Sequence, residues 1–315
     1  MIYREFIKAL LSLLILLVLV TLSGHAQQQA MFTQYMFNGL AINPAYAGSH
    51  QAISLTGLAR EQWTGLPGRP STQTFSVHSP IQYSRASAGL LLSRDEQDIT
   101  QQYGVFGSYA YRISVGPGQL SFGLQGGVTQ ARATLTDLNI ITSSNQSDPA
   151  FGQDLKTRWL PNVGSGLYYH TDRFYVGFSV PQLLHHESDD RSLGTNRQAQ
   201  LVRHYFLTGG YVFDLNPDLK LKPNFLLKSA TGAPMEADFN ANLLIRETLW
   251  LGVGYRSFDA LNALVELQLS PTLRLGYAYD YTISGLRQAQ SGSHEFMLNY
   301  TIRLSKQSIL SPRYF

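Results

Sequence analysis

Hydrophobic and polar side chains alternate one by one along most of the chain after residue 50. In the stretch 272–283, Leu or Tyr occupies every second position from 273 to 281, and the positions between carry Arg, Gly, Ala or Asp. Such period-two alternation predicts a β-strand with one apolar and one polar side. About fourteen stretches follow this pattern. They span 51–59, 72–80, 86–93, 99–112, 119–130, 159–170, 173–181, 203–213, 219–228, 235–246, 248–256, 260–269, 272–283 and 293–304.

These strands predict a membrane-spanning barrel rather than a soluble sandwich or propeller. Most have the roughly 9–11 residues of a tilted membrane-spanning strand. One side is rich in Tyr and Phe and the other carries charge, which is typical of aromatic-girdled barrels. Long connections such as 131–158 alternate with tight turns such as 116–118, as in outer-membrane barrels. The expected fold class is all-β, a transmembrane antiparallel β-barrel of about 14 strands, and the even strand count predicts that both chain termini lie in the periplasm.

The amino-acid composition limits the kinds of functional site that the chain can form. Of the 315 residues, 14% are charged and none is Cys, whereas soluble domains carry about 25% charged residues. The lack of Cys excludes a disulfide framework, a thiolate metal site and a cysteine nucleophile. The formal net charge of +3 gives no bias toward nucleic acid as a partner.

Residues 1–26 have the features of a secretory signal peptide. A charged start precedes the apolar run from Leu10 to Leu22, and small residues end at Ala26, as at signal cleavage sites. A transmembrane anchor is the alternative. The polar run 27–29 and the lack of a basic stop-transfer cluster disfavour it. The expected location is therefore the cell outer membrane, reached by export.

Residues 27–49 form the next predicted unit, ahead of a barrel at 50–315. Its apolar residues have helical spacing, and Asn43 followed by Pro44 ends the helix. We expect a short plug inserted into the barrel from the periplasm, or else a tail that caps the barrel rim. The residues assigned to the plug motif are Gln34, Tyr35, Asn38, Asn43, Pro44 and Ala45.

The polar side of the strands predicts a charged barrel lumen. Its charges either pair with each other, with the plug and with water, or attract anionic groups of a partner or solute. The basic members are Arg173, Lys220, Lys222, Lys228, Arg246, Arg256, Arg274 and Arg303, and the acidic members are Asp238, Glu266 and Asp280.

No catalytic, cofactor or metal site is expected, and we do not expect an enzyme. The densest cluster of metal-type ligands, at 185–190, has adjacent His residues in a polar loop. This favours a solvated loop over a weak divalent-ion site. The chain lacks a Gly-x-Ser-x-Gly motif and a phosphate loop in helical context.

The first outer loop is the candidate for partner binding. Trp63 lies in a loop rich in Gly and Pro, and Trp and Arg are common anchors of protein interfaces. Alternatively, Trp63 folds inward and closes the barrel mouth, or joins the aromatic girdle. The residues assigned to this surface are Arg60, Gln62, Trp63, Gly65, Gly68 and Pro70.

Several of these stretches resemble one known family. Residues 31–49 (MFTQYMFNGLAINPAYAGS), the R-x-Q-W-x-G-x-x-G-x-P pattern at 60–70, the strand 72–80 that follows it and the ending 311–315 are similar to the PorP/SprF family of the type IX secretion system. The resemblance covers both ends of the mature chain. The middle, 131–202, is similar only in general character.

The resemblance implies a non-enzymatic outer-membrane barrel of the type IX secretion and gliding machinery. It implies a role in secretion or surface attachment of cargo proteins such as adhesins. The implied partners are outer-membrane lipids, a secreted or surface-anchored cargo protein, and periplasmic type IX components such as a peptidoglycan-binding lipoprotein. Some family members are core machine parts and others serve one adhesin, and both remain open here.

Asn43-Pro44-Ala45 also resembles a motif in the hatch of fatty-acid-transporter barrels, which have fourteen strands. This resemblance implies an alternative function, the uptake of small or hydrophobic solutes. The charged lumen argues against an apolar ligand path. A barrel enzyme is a more distant alternative.

Overall fold

A computed structural model describes residues 31–50, 52–134, 155–184, 186–187, 200–231 and 233–304. The predicted signal peptide, the chain end 311–315 and most of the cluster at 185–190 lie outside these residues. Within the described part, no helix is long and apolar enough to cross a membrane.

The described strands form one antiparallel barrel of fourteen strands. A short break at Val212 divides β8 into two segments. The strands are β1 Ile53–Glu61, β2 Ser71–Pro80, β3 Ala86–Gln97, β4 Thr100–Val115, β5 Gly118–Ala133, β6 Leu155–His170, β7 Phe174–Val180, β8 His204–Tyr211 with Phe213–Asn216, β9 Leu219–Ala230, β10 Glu236–Ile245, β11 Leu249–Arg256, β12 Ala260–Ser270, β13 Leu273–Thr282 and β14 Ser293–Ile302.

The barrel closes between its first and last strands. β1 pairs with β14 along its whole length, from Ile53 opposite Ile302 to Glu61 opposite His294. All neighbouring strands pair antiparallel in sequence order. Closure matters because backbone groups at an open edge find no partner in hydrocarbon. The predicted fold class is therefore confirmed.

Side chains alternate across the barrel wall as the sequence predicts. On β10, Asp238 and Asn240 are buried inside, whereas Phe239 between them is exposed on the outer wall. β12 repeats this with Asn262 inside and Leu261 outside. The outer wall is thus an apolar surface suited to lipid.

Several strands are longer than predicted. β4, β5 and β6 each have 16 residues, so part of the predicted loop 131–158 is strand. In the predicted loop 182–202, two short segments, His186–Glu187 and Gln200–Leu201, pair antiparallel. Around the β3–β4 turn both sides of the strands are polar. Arg94, Glu96 and Gln101 contact one another on one side, and Asp95 accepts from Thr72 on the other. The hydrophobic alternation therefore ends before the strands do.

Residues 31–50, here named the lumenal segment, lie inside the barrel. They form three 3-10 turns, Tyr35–Phe37, Gly39–Ala41 and Pro44–Tyr46, instead of one predicted helix. Residues 31–48 are all buried. A Cβ at Gly39 would lie only 2.6 Å from the Tyr46 ring, so Gly39 lets the chain fold back on itself.

Candidate functional site

The lumenal segment runs through the barrel from its outer end to its inner end. The end with the long loops is the outer end of such barrels. Thr33 contacts Glu295, two residues after β14 begins at that end. Gly48 donates to His78, two residues before β2 ends at the inner end. The segment therefore begins near the outer mouth and reaches β1 at the inner rim.

Five buried charged side chains meet near the outer end of the lumen. Arg60 Nη2 lies 2.6 Å from Asp280 Oδ2, and Arg60 Nη1 lies 3.1 Å from Glu295 Oε2. Arg256 bridges Asp280 at 2.8 Å and Asp238 at 3.0 Å. All five side chains are at most 3% exposed. We name them the outer ion-pair cluster.

This cluster binds the start of the lumenal segment. The Glu295 carboxylate accepts the backbone N–H groups of Thr33 at 2.8 Å and Gln34 at 2.7 Å. The Thr33 hydroxyl donates to Asp280 at 2.7 Å and accepts from Arg60 at 3.0 Å. The segment is thus part of the network that satisfies the buried carboxylates, which are costly to leave unpaired.

Towards the inner end, amide and hydroxyl side chains of the lumen bind Tyr35 and Asn38 of the plug motif. The Tyr35 hydroxyl donates to Asn224 and accepts from Asn240, both at 3.2 Å. Asn38 accepts from the Ser76 hydroxyl at 2.9 Å. These bonds supply the partners that buried polar groups require.

Two cations and one indole surround Phe37. Lys222 Nζ lies 4.8 Å and Arg274 Cζ 5.3 Å from its ring centre, within cation–π range. The ring of Trp250 meets Phe37 edge-on, with 5.7 Å between the ring centres. Charges of the lumen thus contact the segment itself, which fits the predicted pairing of lumenal charges with the plug.

The Asn43-Pro44-Ala45 motif builds the last turn of the segment. Asn43 Oδ1 accepts the N–H of Ala45 at 2.9 Å, which caps the turn, and Pro44 occupies its first position. Asn43 Nδ2 donates to the Leu167 carbonyl at 2.9 Å and so joins the turn to β6.

The barrel wall has glycines where the lumenal segment touches it. A Cβ at Gly123 would overlap the Ala45 backbone, and one at Gly166 would overlap the Asn43 side chain. A Cβ at Gly276 would likewise overlap the Gln34 side chain. All six residues of the predicted plug motif are buried in the lumen, and these glycines leave room for three of them.

The structure corrects the position of Arg60. It is the penultimate residue of β1, not a loop residue, and its side chain is 1% exposed in the lumen. Ser54, Thr56 and Leu58 point to the same side. Continuing the every-second-residue alternation of β1 by one step would therefore have placed Arg60 in the lumen. A buried guanidinium cannot form part of an exposed partner surface.

The other residues assigned to partner binding remain at the outer end. Residues 62–70 and 290–293 form what we name the loop platform. Thr64 accepts the N–H of Ser291 at 2.7 Å and donates its own to Gly292 at 2.8 Å. Gln62 N–H donates to the Pro70 carbonyl at 2.9 Å. Trp63, Gly65 and Gly68 have positive φ angles, which set the bends of the loop.

The predicted lumenal charges divide into two groups. Lys222, Lys228, Arg256, Arg274, Asp238, Glu266 and Asp280 lie in the lumen. Lys220 and Arg173 pair with Asp214 near the inner rim, and Arg246 and Arg303 are exposed. Arg60 and Glu295 were not among the predicted lumenal charges.

We expect Asn43→Ala to loosen the inner end of the segment. The change removes the cap to Ala45 and the bond to β6, and loss of a cap costs about 0.5–2 kcal/mol. A cysteine at position 47 of this Cys-free chain should become labelled faster in purified barrels. Asn216→Ala is the control, because Asn216 caps an exposed turn at the inner rim. Equal labelling rates for both variants would contradict the expectation.

Comparison with known proteins identifies the family. The sequence profile described as type IX secretion system membrane protein PorP/SprF matches residues 24–300. The chain belongs to the PorP/SprF family. This confirms the resemblance found in the sequence and makes the protein an outer-membrane barrel of the type IX system. A search of curated proteins found no match.

Solved structures similar to this PorP/SprF protein are outer-membrane barrels. The CymD monoaromatic hydrocarbon channel is 10% identical with a TM-score of 0.50, covering 86% of this chain and 94% of its own. A Pseudomonas aeruginosa FadL homologue is 12% identical with a TM-score of 0.46, covering 81% and 89%. The NanC porin is 10% identical with a TM-score of 0.39, covering 80% and 100%. Likeness at this level concerns the fold alone.

Proposed function

We propose that this PorP/SprF-family barrel is a non-enzymatic component that supports secretion or surface attachment of cargo proteins. The family match over residues 24–300 carries the proposal. The lumen adds a physical reason, because the lumenal segment fills it from the outer ion-pair cluster to the inner rim. The barrel in this form acts through contacts at its two ends rather than as an open pore.

The loop platform is the surface proposed for the cargo protein, an adhesin or another type IX substrate. Backbone hydrogen bonds between its two loops fix the conformation of the platform. A surface that is already ordered loses little conformational entropy when a partner binds. Trp63 is partly exposed and Arg69 is 47% exposed. Both residue types are frequent anchors in interfaces.

The turn 81–85 is the surface proposed for a periplasmic component, such as a peptidoglycan-binding lipoprotein. It is the longest inner turn among the described residues. Tyr83 is fully exposed at its tip, beside exposed Ile81 and Arg85. A large aromatic side chain without packing partners is suited to a protein contact.

Uptake of a hydrophobic solute is the weaker alternative. A cavity beside Tyr35, Asn43 and Tyr168 has a volume of about 20 Å³, which holds roughly one water molecule. The segment would have to leave the lumen before a larger solute could pass.

Gene deletion followed by comparison of surface and secreted proteins tests the proposal. Broad loss of type IX cargo would indicate a core machine part, whereas loss of one adhesin with the other cargo retained would indicate a dedicated partner. An unchanged surface and secreted proteome, in a strain without a second family member, would refute the proposal.

We expect Trp63→Ala to reduce surface cargo several-fold in the complemented deletion strain, because truncating an interface anchor costs about 2 kcal/mol or more. Trp159→Ala is the matched control, since Trp159 is exposed on β6 away from the platform. Barrel amounts in the outer membrane must be equal. Equal cargo levels in both variants would exclude Trp63 as an anchor.

A further inference from the structure

The direction of the lumenal segment has a consequence for the chain before it. An even number of strands places the start of β1 and the end of β14 at the same, inner rim. The chain before β1 nevertheless runs back up through the barrel. Thr33 contacts Arg60, one residue from the outer end of β1, while β1 begins at Ile53 on the inner side.

The outer ion-pair cluster fixes this direction. Glu295 accepts two successive backbone N–H groups, and Asp280 accepts the Thr33 hydroxyl. If the segment ran in the opposite direction, the tight turn at Asn43 would lie beside the outer ion-pair cluster. The room for that turn, however, is provided by Gly123 and Gly166 on the inner half of the barrel wall. The segment therefore has one orientation in the barrel.

The path back to the inner rim is both long and filled. Seven residue steps of β1 separate Arg60 from Ile53, about 23 Å of strand. Six residues, 27–32, precede Thr33 after the predicted cleavage, and fully extended they span at most about 22 Å. Residues 34–48 are buried and occupy the lumen below.

We propose that the mature amino terminus leaves the barrel through its outer mouth and lies on the cell-surface side. The exit is next to the loop platform, because Ser293, which accepts the N–H of Trp63, is two residues from Glu295. The inference rests on the barrel and the lumenal segment, and it holds whether or not the chain serves a type IX cargo. It also requires that the signal segment be removed, since an uncleaved apolar segment could not follow this path.

Cysteine labelling on intact cells tests the proposal. The chain has no Cys, so Gln29→Cys gives a single thiol for a membrane-impermeant maleimide. Arg69→Cys in the outer loop and Tyr83→Cys in the inner turn are the two reference sites, and the side chains of both residues are exposed. We expect labelling of Gln29→Cys on intact cells at a yield within about twofold of Arg69→Cys, without labelling of Tyr83→Cys.

Two results would overturn the proposal. Labelling of Gln29→Cys only after the outer membrane is permeabilised, as for Tyr83→Cys, would place the terminus in the periplasm. Labelling only after denaturation would place it in the closed lumen. Amino-terminal sequencing of the same purified protein checks that cleavage leaves position 29 in the chain.

Discussion

Gly123→Leu will displace the inner half of the lumenal segment and turn a closed barrel into a conducting one. Even a Cβ at this position would overlap the backbone of Ala45. Overpacking costs about 1–3 kcal/mol where side chains can adjust, and here backbone must move. The barrel wall has closed hydrogen-bonded ladders on both sides of β5, whereas the segment is tied to the wall by separate side-chain bonds. The segment should therefore yield first.

Single-channel recording in planar bilayers measures this effect. The parent protein should show rare openings, and Gly123→Leu should show long-lived conductance typical of an unplugged barrel. An added Ala41→Cys should become reactive to a water-soluble maleimide, because Ala41 is buried in the parent. Gly126→Leu is the matched control on the same strand, since a Cβ there meets no atom within 4 Å. A silent, unlabelled Gly123→Leu barrel that remains folded would show that the wall deforms instead.

The strands and their number could be predicted because each contains its own signal. In β10, β12 and β13 the alternation of apolar and polar residues indicates which side faces lipid and which faces the lumen. This can be read from each strand without knowledge of its neighbours. For Arg60 the predicted loop position was wrong, although the same rule applies to its strand. Its strand has small residues on the outer side, such as Gly57 and Ala59, so the contrast between the two sides is weak.

The outer ion-pair cluster could not be predicted from local patterns. Its contacts join Thr33 to Glu295 across 262 positions and Arg60 to Asp280 across 220. Only closure of β1 against β14 brings these residues together. The 3-10 turns of the segment have a similar cause, because bonds to the wall, such as Asn38 to Ser76, replace those of a regular helix.

The second large effect is expected at this cluster: Arg60→Ala should lower the free energy of unfolding by about 3–5 kcal/mol, the usual range for removing one partner of a buried ion pair. Asp280 would keep Arg256, but Glu295 would lose its only cation within ion-pair distance among the described residues. Its remaining partners would be the N–H groups of Thr33 and Gln34. Urea titration of barrels folded in lipid vesicles measures the loss as a lower midpoint.

Two further variants separate burial from charge. Arg69→Ala removes a guanidinium whose partner Glu61 is also exposed, so its cost should stay below about 1 kcal/mol. The double variant Arg60→Leu with Glu295→Gln should lose less stability than the sum of its single changes. Arg60→Leu alone leaves the Glu295 carboxylate without its cation, and the second change removes that unpaired charge. Strict additivity, or equal losses for Arg60→Ala and Arg69→Ala, would contradict a coupled cluster. The outer end of the lumenal segment donates hydrogen bonds to Glu295 and Asp280 of this cluster. Release of that end would leave these buried carboxylates with fewer partners, so the cluster stabilises the closed lumen at its outer mouth.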